Sequence, residues 1–260
     1  LVKKENCTIL FIPGGTYLSF YEPIVTMSQN LLPFEWKEIK RYSFSFFTLK
    51  LLMLRIIQSF SFKRANGVIF LTQHSKNLVV SIIKYMAAIT AIVPHGIDSR
   101  FYCEPREQRD ISTYSMEDPL KFIYISPLEP YKHHDNVVEA VSRLRKKGFP
   151  VVLDMYGAPS RVNIKNELEK AMYLHDPESI FIKYHGIIDH NEIHEKYSQS
   201  DVAIFASSCE SFGQILLEGM ASGLPTLCSD MSGMREILGE NGVYFNPLDP
   251  ISIENSLQKM

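Results

Sequence analysis

Only four cysteines and one tryptophan occur in the 260 residues of this chain. Cys7, Cys103, Cys209 and Cys228 are scattered, and no two of them have Cys-x-x-Cys spacing. That excludes a zinc ribbon or a disulfide framework and fits small buried hydrophobes in a reducing compartment. An excess of charge of one sign is lacking as well. The formal net charge is −2, from 27 basic and 29 acidic residues, and no stretch is basic enough for a nucleic-acid surface. No Gly-x-Gly-x-x-Gly follows a predicted strand, which excludes a nicotinamide-binding fingerprint. No Asp-x-Asp stands in a loop suited to a metal, so neither metal nor cofactor is expected. An initiator Met and a signal peptide are absent, and Lys259-Met260 reads as an interrupted helix. The expectation is a chain truncated at both ends, in a cytoplasmic setting or at the inner face of a membrane. The greasiest stretch, Phe44 to Phe62, is broken by Lys50 and Arg55. A spanning helix needs about 20 nearly uncharged residues, so a core helix is the first reading. A helix lying in an interface, with Lys50, Arg55, Lys63 and Arg64 near lipid head groups, is the second, and it would mean peripheral membrane contact.

What is there is an ordinary globular balance, 45% hydrophobic and 22% charged, in a length that allows one large domain or two small ones. Short β-rich runs alternate with helical patterns. Strands are expected at Thr8–Ile12, Val68–Leu71, Ala91–Val93, Lys121–Ile125, Val151–Tyr156, Ile180–Tyr184, Val202–Ala206, Pro225–Cys228 and Val243–Phe245. Helices are expected at Glu35–Phe62, Lys76–Met86, Asn136–Lys147, Ile164–Tyr173, Asn191–Ser198 and Gly213–Ser222. Such alternation implies an α/β fold with doubly wound parallel sheets covered by helices. The rhythm fails between Pro94 and Pro119, a polar, proline-bearing run. The predicted organisation is therefore a partial first domain over residues 1–98, a linker over 99–118 and a second domain over 119–260.

The most informative segment runs from Ser207 to Pro225. It follows a strand and opens a helix, with Ser211 as the expected N-cap. The N–H groups of Phe212, Gly213 and Gln214 would then face outward and, with the helix dipole, form a site for phosphate or sugar oxygens. Gly213 removes a Cβ where a ligand must come close. Glu210 lies in the loop, free to accept from sugar hydroxyls. Glu218 lies two turns into the helix, where its carboxylate can grip the hydroxyls of a ribose.

This run, Glu-Ser-Phe-Gly to Gly-Leu-Pro with Glu210 and Glu218 at E-x7-E spacing, resembles the signature of the retaining glycosyltransferases of family 4, also called group 1, which have the GT-B fold. Val93-Pro94-His95-Gly96-Ile97-Asp98 is similar to the family's interdomain segment, and Tyr184-His185-Gly186 and Asp230–Glu236 to the segments flanking the signature. The resemblance implies two Rossmann-like domains of GT-B type, the N-terminal one incomplete here. It implies Glu210 and Lys132 as catalytic residues, Lys132 acting on the donor diphosphate. It implies donor contacts at Ser211, Phe212, Gly213, Gln214, Ile215, Glu218 and Gly157, and at Ile187 in the stretch whose backbone meets the base. Pro127 stands where relatives carry an Arg, and Arg161 is a candidate replacement. Gln29 and Asn30 stand where many relatives carry a His-Asp pair; Gln29, His95, Gly14 and Gly15 are candidate cleft residues. The implied reaction is metal-independent hexosyl transfer, with retention, from a UDP or GDP sugar to a glycan or lipid-linked acceptor in bacterial surface-polysaccharide synthesis. A GT-B epimerase or phosphorylase, and a non-catalytic nucleotide-sugar-binding remnant, are the alternatives; Pro127 and Gln29 favour the remnant.

Overall fold

A computed structural model describes residues 7–19, 21–84, 86, 88–104 and 107–260. Contacts divide the chain into two compact units. One holds the described residues up to Gly96 together with Cys209–Phe212; the other holds Ile97–Ser208 and Gly213–Met260.

The first unit is built on four strands, β1 (Leu10–Ile12), β2 (Ile24–Ser28), β3 (Gly67–Phe70) and β4 (Ile89–Ile92), paired parallel in that order. Its helices are α1 (Trp36–Lys40), α2 (Phe46–Arg64) and α3 (Gln73–Ile83). The single helix expected over Glu35–Phe62 is two helices. Apolar residues run through the break and hide it, but Ser43 adopts a left-handed backbone at φ 52°. Ser45 then restarts the chain as the N-cap of α2, its side chain accepting from the Thr48 N–H at 3.2 Å. Thr72 and Ser75 form a reciprocal capping box that fixes the start of α3. The core of this unit gathers Ile24, Leu31, Phe34, Phe62, Val68, Phe70 and Val79, with Phe34 and Phe62 stacked at 6.2 Å.

The second unit is a doubly wound sheet. Its strands and helices alternate as β5 (Leu120–Ile125), α4 (His134–Lys146), β6 (Val151–Tyr156), α5 (Val162–His175), β7 (Ile182–Tyr184), α6 (Ile193–Ser198), β8 (Val202–Phe205), α7 (Gln214–Ala221), β9 (Thr226–Ser229), α8 (Met234–Leu238), β10 (Val243–Phe245) and α9 (Pro250–Leu257). The six strands lie in the order β10-β9-β8-β5-β6-β7, every pair parallel. Strand β5 shows why both faces must be covered: Phe122 and Tyr124 enter the core on one side, Ile123 and Ile125 that on the other. The stretch expected as a linker holds two single-turn helices, Ser99–Phe101 and Ile111–Thr113, and Phe101 is buried in the second of these cores. The helix read as interrupted at the chain's end is α9, which stops at Leu257 and is started by Asp249 accepting from the Ile251 N–H with Pro250 next to it.

The sheet order sets the place of a ligand. From β5 the chain first winds outward through β6 and β7, then returns and winds the other way through β8, β9 and β10. The direction reverses between β5 and β8, and a crevice opens at the carboxyl ends of strands at such a switch point.

Candidate functional site

The loop leaving β5 carries Lys132 in a single 3₁₀ turn, Pro130–Lys132, that opens α4. Lys132 is 4% exposed, so its loop position does not mean solvation. The ammonium lies 5.0 Å from the Phe205 ring centre and 5.5 Å from that of Tyr131, with both ring faces stabilising the cation. The Tyr124 hydroxyl donates to the Lys132 carbonyl at 2.6 Å. His133 follows in a left-handed backbone, and its Nε2 meets the Ser208 hydroxyl at 2.8 Å. The Ser208 N–H donates to the Tyr131 carbonyl at 2.9 Å, and Ser232 Oγ donates to the Ser208 carbonyl at 3.0 Å. The loops after β5, β8 and β9 are thereby joined into one rim.

His134 starts α4 beneath that rim. It is fully enclosed, stacked on Tyr124 at 4.6 Å and hydrogen-bonded to Ser126 Oγ at 3.0 Å. Burial, reinforced by the Lys132 and His133 charges, lowers its pKa to about 3, so the imidazole stays neutral.

Gly157 ends β6 at φ 147°, and a Cβ there would lie 1.9 Å from the Ser126 carbonyl oxygen. Its N–H donates to the Gly186 carbonyl at 2.8 Å, which ties the loops after β6 and β7 together. Ile187, in the second of these loops, is exposed. Arg161 closes the first as the residue before α5.

The start of α7 differs from expectation. Ser211 does not cap it; Gly213 does, in a left-handed backbone at φ 92°, and the helix begins at Gln214. Ser211 Oγ instead donates to the Gln29 carbonyl at 2.7 Å, and the Ser211 carbonyl accepts from Thr72 Oγ1 at 3.0 Å. The outward N–H groups therefore belong to Gln214, Ile215 and the next residue rather than to Phe212 and Gly213. Gly213 has a local reason as well: a Cβ would meet the Met234 side chain at 3.0 Å. Glu210 is half-buried in the loop before this turn.

Glu218, one face of α7 further on, is 4% exposed. Burial pushes its carboxyl up to about 7, and the positive Arg100 opposes that rise. His190 Nε2 stands 3.9 Å from Glu218 Oε1, while the Arg100 guanidinium reaches His190 Nδ1 at 2.5 Å and Asn191 Oδ1 at 2.7 Å. Arg100 and His190 were not singled out in the sequence. The available signal was position alone: Arg100 follows the Val93–Asp98 segment, and His190 ends the loop that leaves β7.

In the first unit Gln29 is exposed, its amide donating to Met27 Sδ at 3.2 Å. The His95 ring meets the Phe212 ring edge-on at 5.5 Å. Gly14 is exposed, whereas Gly15 is buried at φ 71° with the Met27 carbonyl 3.0 Å from where a Cβ would be. Among the described residues, no group of three or more His, Cys, Asp or Glu is placed to hold a metal ion. No helix among them is long and apolar enough to cross a membrane.

Residues 106–260 match the family described as Glycosyl transferases group 1. The chain belongs to that family. This group 1 chain is 23% identical over 205 residues to a serotype-specific mannosyltransferase, WbdA, of Escherichia coli, a match that covers 76% of the chain and 25% of that protein. The chain thus spans about a quarter of that relative's length. Among solved structures, a glycosyltransferase from Rickettsia africae superposes with a TM-score of 0.70 at 18% identity, covering 99% of this chain and 67% of that one. Alr3699/HepE of Anabaena in complex with UDP gives 0.68 at 18% identity, covering 91% and 62%. These likenesses establish the fold, a pair of Rossmann-like parallel-sheet units of GT-B type.

Proposed function

We propose that the chain carries the donor site of a glycosyltransferase that moves a hexosyl group, with retention, from a UDP or GDP sugar to a glycan or lipid-linked acceptor. The observation that carries this reading is the buried Lys132 ammonium, held by two ring faces in the loop at the β5/β8 switch point. A buried cation at that place carries the charge opposite to a diphosphate, and attraction between them is strong where water is excluded. The N–H groups at the start of α7 add a second positive pole. Glu218 takes the ribose hydroxyls, with Arg100 and His190 behind it. Glu210 binds the transferred sugar, and the Gly157 and Ile187 loops meet the base.

In the proposed reaction the bond from the anomeric carbon to the leaving diphosphate oxygen breaks. A bond from the same face to the acceptor oxygen forms. The acceptor proton passes to the departing phosphate, so no side-chain base is required. The protein's part is to position both substrates and to hold charge on the leaving group. The UDP seen with the Anabaena structure supports a nucleotide donor, and the kinship to a mannosyltransferase supports hexosyl transfer in surface-polysaccharide synthesis.

Pro127, where the resemblance leads one to expect an Arg, and Gln29, in place of a His, favour a second reading, a domain that binds the donor without turning it over. Incubation with UDP-glucose or GDP-mannose and a mixed-glycan acceptor, with and without EDTA, separates the two. An α-linked product from an α-configured donor, unaffected by EDTA and lost in Glu210→Gln, supports transfer. Binding of the donor without product supports the second reading, and a β-linked product contradicts retention.

A further inference from the structure

Helix α2 buries one face and leaves an apolar stripe on the other. One face turns Leu51, Gln58, Ser61 and Phe62 into the first unit's core. The other presents Phe46, Leu49, Met53, Ile56 and Phe60, each between 51% and 85% exposed. Their spacing of three and four residues puts all five on one stripe along the whole helix. Phe44, immediately before the helix, is fully exposed as well. The outer stripe is apolar although the helix already has a buried face, and an exposed patch of this kind marks an interaction surface.

The charge around the stripe has one sign. Residues 46–64 contain Lys50, Arg55, Lys63 and Arg64 and no Asp or Glu. On a helical wheel Lys50 falls on one flank of the stripe, while Lys63 and Arg64 close its C-terminal end. The Arg64 guanidinium lies over the Phe60 ring at 5.3 Å, so its stem lies along the apolar face. Large rings on one face, basic side chains at its edges and no acid describe a helix that lies in an interface rather than across it. We propose that α2 docks the first unit on an anionic lipid bilayer, with Phe46, Leu49, Met53, Ile56 and Phe60 in the acyl boundary and Lys50, Lys63 and Arg64 on the head groups. This inference does not depend on the donor-site reading, since no residue of α2 belongs to that site.

Flotation of the chain with vesicles tests it. The chain is expected to float with vesicles of mixed phosphatidylcholine and phosphatidylglycerol at low salt, and more weakly with phosphatidylcholine alone. Two variants alter exposed positions only: Met53→Glu with Ile56→Glu, and Lys50→Glu with Lys63→Glu. Each is expected to lower the bound partition by about tenfold or more, while nucleotide binding and the thermal melt stay as in the parent. If the first variant fails to fold, the second still decides. No flotation of the parent with anionic vesicles, or equal flotation of the variants, overturns the proposal. So does concentration-dependent self-association that Met53→Glu with Ile56→Glu abolishes without any lipid binding, since the stripe then belongs to a second copy.

Discussion

Lys132 and Glu218 are ionisable side chains that are both only 4% exposed. Taking a charge out of water costs several kcal/mol unless it is compensated. Ring faces are part of the compensation of Lys132, and Glu218 responds by keeping its proton up to about pH 7. The unfolded chain releases that proton near 4.5, so the folded state is favoured at low pH and loses stability as pH rises from 4.5 to about 7. The loss is on the order of 3 kcal/mol. Glu218→Gln is therefore expected to melt well above the parent at pH 8 and close to it below pH 4.5, while its nucleotide affinity falls. Thermal melts at the two pH values check this; an equal shift at both contradicts the assignment of the raised carboxyl. His134 acts with the opposite sign. Its pKa falls from 6.5 to about 3 on folding, so its contribution is complete above 6.5 and declines as pH drops towards 3. A melt of His134→Gln should lack that acid-side decline, and an unchanged decline would assign it elsewhere.

The elements owe their positions to a few backbone demands. Gly157 and Gly213 sit at the ends of β6 and the start of α7 with φ of 147° and 92°. Ala at Gly157 collides with backbone at 1.9 Å, whereas at Gly213 it meets only the flexible end of Met234 at 3.0 Å. Gly157→Ala should cost more stability than Gly213→Ala, the latter about 1–3 kcal/mol; denaturant midpoints in the reverse order would contradict this. Most of the second unit was legible from sequence, because buried parallel strands read as continuous apolar runs between periodic helices. Val151–Tyr156 and Val243–Phe245 match residue for residue. Strand β2 was not legible: Ile-Val-Thr-Met-Ser is short, half polar and followed by the segment that drew a functional reading. The break between α1 and α2 was hidden by unbroken hydrophobicity. Helix α9 is legible only as a helical pattern at the chain's end, while its start, marked by Asp249-Pro250, was not placed. At the site, Lys132 and Glu218 were readable from the motif, but the Arg100 and His190 support was not, since side chains far apart in sequence leave no local pattern. Ser211 misled because Ser is a good cap in isolation, while Gly213 alone adopts the left-handed turn that begins α7.

At the scale of the whole molecule, the winding order of the second sheet brings its chemistry to one edge. Loops leaving β5, β6, β7, β8 and β9 all meet at the carboxyl ends of the strands, and hydrogen bonds through Ser208 and Gly157 lock several of them together. Nucleotide binding should therefore slow amide exchange in residues 126–134, 157–161, 185–191 and 207–218 while leaving α2 unchanged. Protection spread evenly over both units, or centred on the first, would contradict a donor site at the switch point. The most direct test of the central claim is calorimetric titration of UDP and GDP into the chain and into Lys132→Met, which keeps most of the side chain's length and removes its charge. One of the two nucleotides should bind, and the substitution should weaken it by about tenfold to a hundredfold, the worth of a charge-assisted contact to phosphate. Equal affinity in the parent and in a correctly folded Lys132→Met, or no binding of either nucleotide to the parent, would contradict it.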